Sequence, residues 1–295
     1  KRENFELFAP KNKNFKKILA DVPWYSVSEQ IKIPQILARI KPDLTHFCHF
    51  NIPIFYQGRF VVTIHDLIKH EFSGLASTTK FPLVYFLKHQ AYKFVIAKAI
   101  KKSAAILVPS NWVKKRILEE FAIPDDKIVV TYEAAEEEFS KQLTVNSKQI
   151  LEKYKIAPPF LIYVGNLYPY KNLDLALKAL KILEKEIPNL KFLIASARDV
   201  FHQRFWNLVK NYHLEEKVLM PGFIPTQDLV ALFKQASAFI FPSLSEGFGI
   251  PGLNAMAAGV PVLASNIPVF KEVYDNSVLY FDPKNEKDLA EKIKI

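Results

Sequence analysis

Cysteine is almost absent. The 295 residues hold only Cys48, so neither an intramolecular disulfide nor a Cys-rich zinc site can form. That usage fits a reducing compartment, and the cytoplasm is the expected location. Glycine is scarce as well: of eight residues, four crowd between Gly247 and Gly259, marking a segment with special backbone demands. Acid is the minority charge, 30 Asp and Glu against 40 Lys and Arg, and the net +10 favours anionic partners. The opening KRENFELFAP carries no signal-peptide pattern. Residues 247–270 lack Asp, Glu, Lys and Arg, but Pro251, Pro261, Pro268 and four glycines break the internal hydrogen bonding that a lipid-spanning helix needs. No G-x-x-x-x-G-K-[ST] occurs, which speaks against P-loop hydrolysis. No recognised nucleic-acid module accompanies the positive charge, so nucleic acid is not an expected partner.

What is present is alternation. Short β-branched and aromatic runs at 44–50, 60–65, 104–108, 128–132, 160–164, 191–195, 217–220, 238–241, 260–264 and 278–281 read as parallel strands covered on both faces. Helical patterns lie between them at 112–121, 173–187, 205–212, 228–236, 251–258 and 287–293. This order predicts an α/β fold with doubly wound sheets. The polar stretch 133–159 predicts a boundary between an N-terminal domain, 1–140, and a C-terminal domain, 155–295. No opening strand with a Gly-rich turn is visible before residue 40, and the last helical pattern runs to Ile295. Each domain therefore reads as incomplete.

Three constellations could carry chemistry. In YVGNLYPYKN a strand ends at Gly165, and a loop through Asn166 and Lys171 leads to Asn172, the expected N-cap of the next helix. A lysine beside a helix N-terminus suits phosphate, although an ordinary strand-to-helix loop explains the same residues. In SEGFGIPGLNAMAAGVPVLAS, Gly247 and Gly249 permit close backbone approach, Glu246 sits at the turn, and Asn254 lies further along a short helix. Hydroxyl groups of a long ligand could be gripped there; close helix packing is the bland alternative. In VVTIHDLI, His65 ends a first-domain strand and is equally readable as structural or functional. HFCH around Cys48 lacks a convincing zinc spacing, so no metal is assigned.

With VPSNWVKKRI and NIPVFKEV, these segments resemble the retaining glycosyltransferases of family 4. The resemblance implies a GT-B fold, two Rossmann-like domains facing a cleft, the first lacking its opening strand and the second its closing helix. It implies retaining hexosyl transfer from a nucleotide-diphosphate sugar to a glycan or lipid-linked acceptor, as in polysaccharide biosynthesis, with no cofactor and no metal. The first half looks most like mannosyltransferases, making GDP-mannose the favoured donor.

By the same resemblance, Lys171 would hold the diphosphate, Glu246 and His65 would contact the sugar, and these three would form the catalytic set. Gly165, Asn166, Gly247, Phe248 and Gly249 would line the donor pocket, with the base near Phe223 and Ile224. Asn254 stands where the family usually has a ribose-binding Glu, and Asn166 where it often has Arg. A non-catalytic nucleotide-sugar binder and a GT-B epimerase are the rival readings. The basic, aromatic stretch 80–116 reads either as a solvated helix pair or as a peripheral contact with an anionic membrane on its inner face.

Overall fold

The computed structural model describes residues 5–6, 9–72, 74, 81–141, 146–198 and 200–295. They form two compact units: Lys1–His65, Lys80–Val108 and Lys114–Val130 in one, Asp66–Thr79, Pro109–Val113 and Thr131–Ile295 in the other.

The first unit is built on a parallel sheet, β1 (Thr45–Phe47), β2 (Phe60–Thr63), β3 (Ala105–Val108) and β4 (Ile128–Val130), paired in that order. Val62, Ile64, Ile106, Val108 and Ile128 form its buried seam. Helices α1 (Val27–Ile40) and α3 (Pro82–Lys102) belong to this unit, α2 (Ile68–Glu71) to the second, and α4 (Asn111–Glu120) starts in the second and continues in the first. Burial in α3 is confined to Ile96, Ala99 and Ile100, one face of its second half. Its first turns expose Leu83, Val84, Phe86 and Leu87.

The second unit carries α5 (Glu137–Ser140), α6 (Ser147–Lys153), β5 (Phe160–Val164), α7 (Leu173–Leu183), β6 (Lys191–Ala195), α8 (Val200–Asn211), β7 (Val218–Gly222) and α9 (Thr226–Phe233). These are followed by β8 (Ala238–Phe241), α10 (Ile250–Ala257), β9 (Val262–Ser265), α11 (Pro268–Tyr274), β10 (Leu279–Phe281) and α12 (Glu286–Lys294). Its parallel sheet runs β10-β9-β8-β5-β6-β7. The chain builds outward from β5 through β6 to β7, then returns to the other side of β5 with β8. That reversal opens a crevice beyond the carboxyl ends of β5 and β8, the place where an open α/β sheet takes its ligand.

Strands β5, β6, β8 and β9 are apolar and buried along nearly their whole length because both faces are covered, whereas the edge strand β10 leaves Leu279 exposed. Helix α7 buries Leu173, Ala176, Leu177, Leu180 and Leu183 against the sheet. An aromatic row, Phe239, Phe241, Phe270 and Tyr274, runs from β8 into α11 with successive centroids 5.4, 4.6 and 5.1 Å apart. Among the described residues, all ten strands fall within or beside the expected runs. The differences are at helices. Helix α8 begins at Val200, because Phe201, Phe205 and Val209 form one buried stripe at four-residue spacing. Asn172 occupies the N-cap position of α7 in a left-handed conformation, but its side chain does not cap the helix; it donates to Pro283 O at 2.9 Å.

Asp228 is the buried carboxylate of this unit, 8% exposed on α9. It accepts from Lys153 Nζ at 2.5 Å and Tyr154 Oη at 2.8 Å, tying α6 to α9. The Lys153 hydrogen bond holds its pKa below the ordinary carboxylate value, against the opposing effect of burial. Because the folded value is depressed, the stabilisation is present above the unfolded value near 3.8 and is lost as pH falls through the folded one. Asp228→Asn should therefore melt a few degrees below the parent at pH 7, with the gap closing below pH 4, as followed by circular dichroism.

Candidate functional site

The site grows from the β5–β8 reversal of the second unit. Strand β5 ends at Gly165, whose φ of +151° a side chain would disfavour, and its amide donates to Ala195 O at 3.1 Å. Tyr163 Oη donates to Asn166 O at 2.7 Å, which closes the loop back on the strand. A single 3₁₀ turn, Pro169–Lys171, then brings Lys171 round before α7 starts.

Glu246 arrives from the other side, five residues beyond the end of β8. Lys171 Nζ donates to Glu246 Oε1 at 2.5 Å, and Ser243 Oγ donates to the same oxygen at 2.6 Å. The two charged side chains keep only 12% and 11% of their exposure. Leu244 N donates to Tyr170 O at 2.8 Å, so the two loops are joined by backbone as well as by charge. The ammonium also lies 5.1 Å from the Tyr170 ring centroid and 5.8 Å from that of Phe241. Burial, and then the Glu246 charge, push the Tyr170 and Tyr163 hydroxyls far above the ordinary phenol range, so both stay neutral.

The glycine turn follows directly. Gly249 has φ +108°, and a Cβ there would run into Tyr274 and Phe270. Tyr274 Oη donates to Gly249 O, which pins the turn to the aromatic row. Phe248 is buried, with its ring 6.0 Å from that of Tyr132. The arrangement presents a cation, a carboxylate and close-approach backbone around one edge of a sheet. An incoming anion can take Lys171, leaving Glu246 to accept from a hydroxyl.

The other expected site residues are distributed differently. Asn254 is buried on α10 and turned to Glu136: its Oδ1 accepts from Glu136 N at 2.8 Å and its Nδ2 donates to Glu136 Oε1 at 2.9 Å. An amide can accept from an N–H and donate to a carboxylate at once, which an ionised Glu cannot, and this is a structural reason for Asn rather than Glu there. Asn166 is exposed, and its Oδ1 takes Tyr168 N at 3.4 Å. After β7, Phe223 is 80% exposed, whereas Ile224 is buried. In the first unit, His65 follows β2 and its Nε2 lies 3.0 Å from Cys48 O. A carbonyl only accepts, so Nε2 carries a proton. Sequence reasoning did not single out Ser243, Tyr170 or Glu136; the spacing Pro-Ser-Leu-Ser-Glu was the signal for the first. Among the described residues, no group of three His, Cys, Asp or Glu is placed to hold a metal ion.

A doubly wound parallel sheet whose order reverses beside a lysine–glutamate pair and a glycine turn defines a Rossmann-like domain. Residues 146–295 match the family described as Glycosyl transferases group 1, and residues 10–139 match Glycosyltransferase Family 4. The chain belongs to this glycosyltransferase family.

The O-antigen chain mannosyltransferase RfbU of Salmonella typhimurium is 26% identical over 279 residues, 94% of this chain and 71% of that protein. O-antigen chain mannosyltransferase B of Escherichia coli is 32% identical over 190 residues, 64% of this chain and 50% of that one. The chain thus spans between half and three quarters of the length of these two relatives. The Anabaena HepE structure in complex with UDP and glucose superposes with a TM-score of 0.72 at 16% identity, covering 92% of this chain and 74% of that one. This likeness shows the fold, GT-B with two Rossmann-like domains.

The near-buried pair makes a prediction of its own. Removing one partner strands a charge, at about 3–5 kcal/mol, while removing both does not. Lys171→Met should lower unfolding stability by that amount in denaturant titration, and Lys171→Met/Glu246→Gln should recover part of it. A double variant as unstable as the sum of the singles would show that the two do not interact.

Proposed function

We propose that the chain is the core of a retaining glycosyltransferase that moves a hexose, mannose from GDP-mannose, onto a glycan or lipid-linked acceptor without a metal ion. The observation that carries this reading is the Lys171–Glu246 pair at the reversal of the second sheet. Departure of a nucleoside diphosphate needs positive potential aimed at the developing charge, and such potential counts for most where water is excluded. Lys171, walled by Tyr170 and Phe241, has that setting. On donor binding the ammonium would exchange Glu246 for a phosphate oxygen, and the freed carboxylate would take a sugar hydroxyl. The exposed Phe223 offers a face for the base. In this reading the C1–O bond to the nucleoside diphosphate breaks through an oxocarbenium-like state, the acceptor hydroxyl oxygen bonds to C1 from the same face, and its proton passes to the departing phosphate oxygen. Mannose is supported by the names of the two relatives.

Thermal shifts across GDP-, UDP- and ADP-sugars test the donor. Saturation at about 100 Kd adds about 2.7 kcal/mol, so GDP-mannose should raise the melting temperature selectively and Lys171→Ala should abolish the rise. Stabilisation by a UDP-sugar alone would remove the mannosyl reading, and no response to any sugar nucleotide would remove the donor site.

We further propose peripheral attachment to the cytoplasmic face of an anionic membrane through α3. Phe81, just before it, and Leu83, Phe86 and Leu87 are 82%, 70%, 56% and 60% exposed. The helix bears Lys88, Lys93, Lys98, Lys101 and Lys102 and no acid. Lys80, the first residue of the expected stretch, lies outside the described residues. Among the described residues no helix is long and apolar enough to cross a membrane. Basic side chains near such a surface contribute about 1 kcal/mol each. Co-sedimentation with phosphatidylserine-rich vesicles should therefore rise with anionic lipid and disappear in high salt. Protein that stays in the supernatant at low salt would end the membrane proposal.

A further inference from the structure

The segment VPSNWVKKRI also supplies a fully buried polar contact to the glycine turn. Ser110 is fully buried, and its Oγ donates to Gly247 O at 2.7 Å. The same oxygen accepts from Val113 N at 3.2 Å, making Ser110 the N-cap of α4. Capping uses a lone pair and leaves the hydroxyl proton for the Gly247 carbonyl, so the two bonds fix each other. A trans peptide points its C=O and the following N–H to opposite sides. Holding Gly247 O against Ser110 therefore aims the Phe248 amide the other way.

Ser110 is itself anchored. Glu272 on α11 accepts from Asn111 N at 2.6 Å and Trp112 N at 2.8 Å, and Tyr132 Oη donates to it at 3.0 Å. With Val113 N on Ser110, three of the first amides of α4 are satisfied by side chains. Further along the same loop, Ser245 Oγ donates to Glu71 Oε2 at 2.6 Å. The residue next to Glu246 on each side is thus tied to a segment remote in sequence.

We propose that Ser110 is a positioning residue: its hydroxyl, held by the Glu272-capped start of α4, fixes the peptide after Gly247 and with it the geometry of Glu246. The functional consequence rests on the donor-site reading; the positioning does not. Ser110→Gly keeps a tolerable helix cap, since Gly at this position is only slightly worse than Ser, but deletes the donor. Hydrogen exchange by mass spectrometry should show residues 244–249 exchanging at least tenfold faster in this variant, and Ser110→Thr, which keeps the hydroxyl, should restore slow exchange. Unchanged exchange overturns the proposal. So does an unfolded Ser110→Gly, because the bond would then serve the fold as a whole.

The activity arm uses GDP-mannose hydrolysis, with Glu246→Gln in parallel. Ser110→Gly should lower kcat at least tenfold with KM within threefold. If Glu246→Gln is impaired and Ser110→Gly is not, the effect of Ser110 on turnover fails alone. If Glu246→Gln is unimpaired, the donor-site reading fails, and the exchange result still decides whether Ser110 holds the loop.

Discussion

A carboxylate left with a ninth of its normal exposure, at the end of a strand buried on both faces, needs a counter-charge close by, and for Glu246 that is Lys171. Much of the second unit is arranged to bring the two together. The sheet must reverse so that β5 and β8 become neighbours, since the two residues follow different strands. The chain after β5 must turn sharply, which the 3₁₀ turn at Pro169–Lys171 and the left-handed Asn172 accomplish. Ser243 then completes the acceptor shell, so that one carboxylate oxygen receives two donors.

Rigidity behind the pair comes from the aromatic row. Phe239, Phe241, Phe270 and Tyr274 fill the space between β8 and α11. Tyr274 reaches from that row to the Gly249 carbonyl, and burial, followed by the Glu246 charge, keeps its hydroxyl protonated and donating. The glycine has no alternative: a Cβ would overlap Tyr274. Packing in the core thereby sets the position of the buried glycine turn without spending a flexible side chain on it.

The strands and the reversal-edge loops could be read from the residues because fully covered parallel strands are continuous apolar runs, and glycine is rare enough here for its clustering to stand out. Helices were legible only where one face is buried. Helix α7 has such a face. Helix α3 does not announce itself because its early turns are apolar while exposed, and α1 contains Pro34, which reads as a break. Helix α11 is seven residues long and too short for a period to show. At the site, Lys171, Glu246 and the glycines were visible as types at the ends of strands. Their pairing was not, because it depends on which strands are neighbours. Asn254 shows the limit from the other side: counting from Glu246 places it in the donor pocket, whereas the fold engages both ends of its amide with Glu136.

The closed pair also bears on what the site would accept. An anion that took Lys171 and offered nothing else would leave Glu246 desolvated with only Ser243 as donor, and a buried charged acceptor that loses its partner costs at least about 1–3 kcal/mol. Inorganic phosphate would bear that cost. A ligand carrying hydroxyl donors a few ångströms from its phosphates would return a partner to Glu246 as it removed one. The lysine alone would attract any phosphate; paired with a carboxylate in the same dry corner, it favours phosphates attached to a polyol. A preference for a sugar nucleotide over inorganic phosphate, as proposed above, would lie in what must be broken on binding as much as in what is made.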